Sequence, residues 1–337
     1  MPRTPRSPSY PTLFRGLLVL LVVAGVTLDP VVALAQRSEP VRIGVLTDSW
    51  GPTPATVGLR DGLQALGYRE GEQFHIGVRF TQGDVGALPL GARELVAAGS
   101  DVIFATTTNA ARAAQQATAV TPIVFAEVTG DPVKLGLVRS FAHPGGNITG
   151  VSTLAIELNP KRLEIFKELV PGLKRVLLVY DPSDPDGVAG ARAYREPARL
   201  LGIQLVEKTP RSQEEAREVI ARVRRSEVDG ILFPLSGLAL NIPGAVLDAA
   251  SRRQIPTMFG GTFWVERGGL AGYGPDYYES GRQAARLVVK ILKGEKPESI
   301  PVEINSRIEL AINLKVARAL KLTFGQALLQ RADRLIE

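Results

Sequence analysis

Four consecutive polar residues, Thr106-Thr107-Thr108-Asn109, stand between an apolar run (Asp101 to Ala105, DVIFA) and an alanine-rich stretch (Asn109 to Ala119). A strand followed by a helix puts such residues at a helix N-terminus. One side chain caps the helix there, and the first N–H groups carry partial positive charge. Several hydroxyls at that end make a seat for a carboxylate or another anion, and capping accounts for only one of the four residues. Thr107, Thr108 and Asn109 are therefore candidate ligand contacts. Two more polar stretches come after apolar runs in the same way. One is Thr47-Asp48-Ser49-Trp50; the other is Glu127 to Asp131, with Glu127 and Thr129 as its candidates. Trp50 is one of two tryptophans, and in a loop it serves either as core or as a flat platform for a ligand.

The second half of the chain offers Asp181 and Ser183 after RVLLVY, Ser236 after GILFP, and Tyr273 with Asp276 ahead of a long helical pattern. Asp181 lies in a turn-rich DPSDPDG stretch, where turn chemistry suffices. Asp276 with Glu279 reads equally as a capping box. Phe259, Phe263 and Trp264 either line an opposite wall or pack internally. No acid occurs after Ser236 until Asp248.

Several chemistries are excluded. The chain has 337 residues, no cysteine and two histidines, His75 and His143. Thiol nucleophiles, disulfides and cysteine zinc sites are ruled out, and neither a G-x-x-x-x-G-K-[ST] nor a G-x-S-x-G motif is present. Both histidines read as structural, and no catalytic residue, metal or cofactor is expected. The first 35 residues carry Arg3, Arg6 and Arg15, an apolar run from Gly16 to Leu28, and Ala33-Leu34-Ala35. That is the layout of a signal peptide cleaved after Ala35. Removing it takes away three arginines and Asp29, lowering the formal charge from +6 to +4. The remaining excess is scattered, so no nucleic-acid partner is expected. No later apolar run is long enough for a membrane span.

Two sets of elements must position these side chains. Arg42 to Thr47, His75 to Phe80, Asp101 to Ala105 and Pro122 to Phe125 are short, nearly continuous apolar runs separated by helical patterns. The pattern restarts with Arg175 to Tyr180, Gln204 to Glu207, Gly230 to Pro234 and Pro256 to Phe259. Ser212 and Glu215 form a capping box ahead of an Ala216, Val219, Ile220, Val223 stripe. Runs of this kind alternating with helices predict parallel sheets covered on both faces. The expectation is an α/β protein of two doubly wound, Rossmann-like lobes joined by a multi-strand hinge. One lobe comprises residues 41–149 plus about 276–297, the other 150–275 plus about 300–337. Ligands then bind at the carboxyl ends of both sheets, in a clamshell.

Five segments carry a resemblance: Asp131-Pro132-Val133-x-x-Gly136-Leu137-Val138; Pro144-Gly145-Gly146-Asn147-Ile148-Thr149-Gly150; Gly281-Arg282-Gln283-Ala284-Ala285 with Ile291-Leu292-Lys293-Gly294-x-x-Pro297; Ile312-Asn313-Leu314-Lys315-x-Ala317; and Leu328-Leu329-x-Arg331-Ala332-Asp333. Together, over Val41 to Glu337, they resemble the substrate-binding proteins of ABC transporters, of type I periplasmic binding-protein fold, a family that includes tryptophan and tyrosine binders. The resemblance implies a monomeric periplasmic receptor without catalysis. It would hold a small ligand, aromatic or amino-acid-like and, by the Thr106 to Asn109 helix end, carboxylate-bearing, and deliver it to an ABC permease with a separate ATPase subunit. Family members that bind amino acids need an acid for the ligand ammonium, for which the loop holding Ser236 is one place; with none there, a carboxylate ligand with an aromatic or apolar body and no amine fits as well. Presentation of the ligand to a sensor kinase or chemoreceptor is an alternative use of the same fold, and a two-lobed enzyme a further one.

Overall fold

The computed structural model describes residues 39–233 and 242–337. The expected signal peptide and Ser236 lie outside them. Strands β1 (Val41–Thr47), β2 (Phe74–Phe80), β3 (Val102–Ala105), β4 (Ile123–Val128) and β5 (Ile148–Ser152) alternate with helices α1 (Pro54–Ala65), α2 (Leu88–Ala97) and α3 (Thr108–Ala117). They build a six-stranded, all-parallel sheet of order β11-β5-β4-β3-β1-β2, completed by the short β11 (Glu303–Ile304). β1, β3 and β5 are buried almost end to end, which is why they read as unbroken apolar runs rather than alternating ones.

The second sheet repeats the winding. β6 (Arg175–Val179), β7 (Gln204–Lys208), β8 (Gly230–Phe233), β9 (Thr257–Phe259) and β10 (Ala271–Pro275) run with helices α4 (Asn159–Leu169), α5 (Pro185–Leu200), α6 (Gln213–Arg222) and α7 (Pro243–Arg253) between them. After the long α8 (Tyr277–Leu292), the chain adds β12 (Ile308–Asn313), α9 (Leu314–Ala319), α10 (Gln326–Gln330) and β13 (Arg334–Ile336). The order is β13-β12-β10-β9-β8-β6-β7, with β12 antiparallel to β10. Apolar clusters cover both faces, one around Phe166, Leu178 and Tyr194 and the other around Ile220, Ile231 and Phe259.

α8 comes after the second lobe's last parallel strand yet packs on α1 of the first. Glycine makes the contact possible. A Cβ on Gly58 would lie 2.0 Å from the Tyr278 carbonyl oxygen, and one on Gly281 would lie 2.0 Å from that of Ala55. Two sheet edges differ from expectation. β5 extends the first sheet to Ser152, and β11 returns residues 303–304 to it, so the boundaries expected at 149 and 300 move outward. Strand pairing fixes lobe membership here, and two-residue β11 carries too little sequence pattern to announce itself.

The chain thus crosses between lobes after β5, after β10 and after β11. Buried Asn305 ties the three crossings together. Its Nδ2 donates to the Asp276 carbonyl at 2.7 Å and to Ser280 Oγ at 2.9 Å, and its N–H donates to the Ser152 carbonyl at 2.9 Å. Every crossing therefore shares one residue, which makes a compact hinge.

Candidate functional site

A cavity of about 290 Å³ opens between the lobes at the carboxyl ends of the sheets, where doubly wound folds bind ligands. The first lobe contributes Asp48, Ser49 and Trp50 after β1, Thr107, Thr108 and Asn109 at the start of α3, and Glu127 and Thr129 at the end of β4. The second contributes Asp184 and Asp186, Gly261, Phe263, Trp264 and Arg267; Tyr277 opens α8 beside them.

The α3 end is built as the strand–helix junction requires. Thr107 is the cap, its Oγ1 accepting from the Ala110 N–H at 3.2 Å. The neighbouring hydroxyl has another task. Thr108 Oγ1 donates to Asp186 Oδ2 at 2.5 Å, and Thr129 Oγ1 donates to the same oxygen at 2.9 Å. Both bonds cross the cleft, as does that from Gln213 Nε2 to the Gln82 carbonyl at 3.0 Å. Asp186 occupies the first turn of α5, whose cap is Asp184 with Pro185 next. Two helix N-termini therefore point at one carboxylate, a favourable setting for negative charge. The anion seat expected at α3 is already faced by an acid of the protein.

The cavity floor is acidic and under-satisfied. Asp48 is fully buried, and neither carboxylate oxygen has a hydrogen-bond partner among the described residues. Burial pushes its pKa up to about 7, with Asp184 adding a smaller repulsion. Glu127 lies in left-handed backbone, φ 55°, and accepts from the Ala55 N–H at 3.3 Å. Burial pushes it up to about 8, with Asp48 contributing. Asp186 Oδ1 and the Tyr277 hydroxyl are likewise buried without partners. Left-handed backbone and two carboxyls raised by burial thus fall at one cavity. An unpaired buried carboxylate is costly unless a cation arrives.

The opposite wall is aromatic. Phe263 and Trp264, in the 3₁₀ turn Thr262–Trp264, meet edge to face at 4.9 Å. Trp50 stands across from them, 55% exposed. Phe259 is wholly buried in the second lobe's core instead.

Four expected contacts lie elsewhere. Asp181 accepts from the Ser183 N–H and hydroxyl at 2.8 and 2.6 Å, a local turn beside a separate depression with Arg211 and Arg217. Tyr273 packs against the second lobe's core while its carbonyl accepts from Arg162 Nε at 2.7 Å. Asp276 caps α8 and pairs with Arg307 at 3.3 Å. The sequence reading missed Asp184, Asp186, Arg267 and Tyr277. Asp184-Pro185 carries a cap-plus-proline signature that would have put Asp186 at a helix N-terminus. The second lobe's acids at the cavity, Asp184 and Asp186, thus come after its first strand.

A two-lobed α/β protein with an uncommitted interlobe cavity is a type I periplasmic binding protein by fold. Residues 43–336 match the model of the ABC transporter substrate binding protein family, and the chain belongs to that family. The "tyrosine-binding protein" of Clostridioides difficile strain R20291 is 29% identical over 85% of this chain and 82% of its own. A crystal structure of a conserved domain protein of Vibrio cholerae is 31% identical with a TM-score of 0.80, covering 89% of this chain and all of that one. The ABC domain of Streptococcus pneumonia in complex with L-Trp is 29% identical with a TM-score of 0.78, covering 88% and 100%. No helix among the described residues is long and apolar enough to cross a membrane.

Proposed function

We propose that this chain is a monomeric, periplasmic receptor of an ABC importer, exported by the leader before Gln36, that captures an aromatic α-amino acid and hands it to a membrane permease driven by a separate ATPase. The observation that carries the ligand class is the charge layout of the cavity. Asp48 and Asp186 present buried carboxylate oxygens without partners, so a ligand ammonium supplies the missing counter-charge. Trp50 on one lobe and Phe263 with Trp264 on the other line the same cavity and offer rings to an aromatic side chain. Relatives that bear the name tyrosine-binding protein or hold L-Trp support the same reading. The protein performs no chemistry on the ligand. Binding favours the closed arrangement by the ligand's extra affinity for it, and the Asp186 bonds to Thr108 and Thr129 help to hold that arrangement.

The test is thermal shift followed by calorimetry against L-tryptophan, L-tyrosine, L-phenylalanine and D-glucose. An aromatic amino acid at 100 times its Kd is expected to add about 2.7 kcal/mol of stability. A shift with glucose and none with the amino acids overturns the ligand class. Loss of aromatic amino acid uptake on deleting the gene tests the importer role.

A further inference from the structure

We infer that Arg267, stacked on the Phe263–Trp264 platform, is the residue that grips the ligand's carboxylate and so sets selectivity for amino acids over the corresponding amines. The inference rests on the amino-acid reading above and goes beyond it by assigning the second charged subsite.

The cavity's lining holds four acids, Asp48, Glu127, Asp184 and Asp186, and among the described residues a single cation, Arg267. Its guanidinium carbon lies 3.5 Å from the Phe263 ring centroid and 6.0 Å from that of Trp264. One nitrogen, Nη1, donates to the Phe263 carbonyl at 3.4 Å. No carboxylate among the described residues pairs with it, whereas Arg307 pairs with Glu309 and Arg334 with Glu266. The ring engages the face of the guanidinium, and Nε and Nη2, which have no hydrogen bond among the described residues, present the side of its planar fork that matches a carboxylate. The stack also fixes the long side chain beforehand, so less freedom is lost when the ligand binds.

The competing seat is the α3 N-terminus, where the Thr107 oxygen already accepts from the Ala110 N–H and the Thr108 hydroxyl already donates to Asp186. A ligand carboxylate placed there would meet Asp186, a like charge. Ammonium and carboxylate share one carbon in an amino acid, so their subsites must adjoin. Asp186 and Arg267 both line the one cavity of about 290 Å³.

The experiment measures Kd by calorimetry for three probes with one indole body: L-tryptophan, tryptamine without the carboxylate, and indole-3-propionate without the amine. Against the unchanged protein, Arg267→Gln is expected to weaken L-tryptophan and any indole-3-propionate binding at least tenfold, and to leave tryptamine within twofold. Arg267→Lys keeps the charge without the fork and is expected to fall between. Arg267 is exposed, so the midpoint of thermal unfolding without ligand should not move. Equal losses for tryptophan and tryptamine would show that Arg267 serves only the ring and overturn the assignment. So would unchanged tryptophan binding in Arg267→Gln. If the unchanged protein binds none of the three, the ligand class itself is wrong, and the assignment falls with it.

Discussion

The two lobes share a winding and divide the work at the cavity. Each sheet begins with the same spatial pattern, the second strand outside the first and the third, fourth and fifth arranged in turn on the other side. The first lobe ends by docking α8 onto α1 through glycines and offers buried groups at strand ends and a helix start, Asp48, Thr108 and Thr129. The second ends in an antiparallel strand and offers a helix-borne acid, Asp186, together with Phe263, Trp264 and Arg267 on a short turn and the residues after it. A preformed acidic floor thus meets a cover whose aromatic and cationic groups are more open to solvent. One topology supports both because the cavity's lining comes from loops, turns and helix starts beyond the strand ends, with Glu127 near the end of β4 as the exception.

The sharpest way to break this contrast is pH, since the floor is built on carboxyls that burial makes hard to ionise. The folded-state pKa of Asp48, about 7, lies above its ordinary value. Its favourable contribution is therefore complete below about pH 4 and is lost as pH rises through 7, after which the penalty for burying the charge is constant. The shift corresponds to ~4 kcal/mol. Ligand-free Asp48→Asn should become more stable than the unchanged protein by an increasing margin between pH 5 and 8, read as the difference in urea midpoints. Asp229 and Glu207, held low by Arg175 and Arg195, are present in both proteins and cancel in that difference, whereas Glu127, raised in part by Asp48, is relieved by the substitution and adds to the margin. A flat difference would mean that the floor is wetter than described.

The first lobe's rigidity can be broken separately. Gly281→Val puts a Cβ 2.0 Å from the Ala55 carbonyl oxygen, and backbone cannot yield as a side chain can. Destabilisation of about 3 kcal/mol is expected, at the upper end for overpacking, checked by urea denaturation. A loss below about 1 kcal/mol would show that α8 is only loosely seated on α1.

Most of this frame is legible in the residues, and the reasons are local. Strands buried on both faces write unbroken apolar runs such as VRIGVLT. The cap at Thr107 comes from hydroxyls between a strand and an alanine-rich helix. Sequence does not reveal the pairings made across the cleft. Asp186 reads as part of a turn because its partners, Thr108 and Thr129, lie 78 and 57 residues away. Tyr273 and Asp276 stand out as polar residues at a crossover, yet the Tyr273 carbonyl accepts from Arg162 inside the second lobe and Asp276 serves as a helix cap. Position after a strand leads to the first-lobe residues that line the cavity. It leads to fewer in the second lobe, where a helix start and a 3₁₀ turn supply the lining.

Asp186 and Trp50 test the cover and the floor at smaller scale. Asp186→Asn keeps the side chain's size but removes the charge that Thr108 and Thr129 face. Charge-assisted bonds of this kind contribute about 2 kcal/mol, so affinity for L-tryptophan should fall roughly thirtyfold by calorimetry. The loss should be smaller for indole-3-propionate, which has no ammonium to pair. Trp50→Ala asks for less. The ring is 55% exposed, so folding has gained little from burying it, and the thermal midpoint without ligand should stay put. Its contribution arises only when a ligand ring slides between it and the Phe263–Trp264 wall, and an aromatic pair adds ~1 kcal/mol beyond area burial. A fivefold loss of L-tryptophan affinity with unchanged stability would place Trp50 in the ligand's shell. A drop in stability without loss of affinity would assign the ring to the first lobe's packing and leave the aromatic recognition to the second lobe alone.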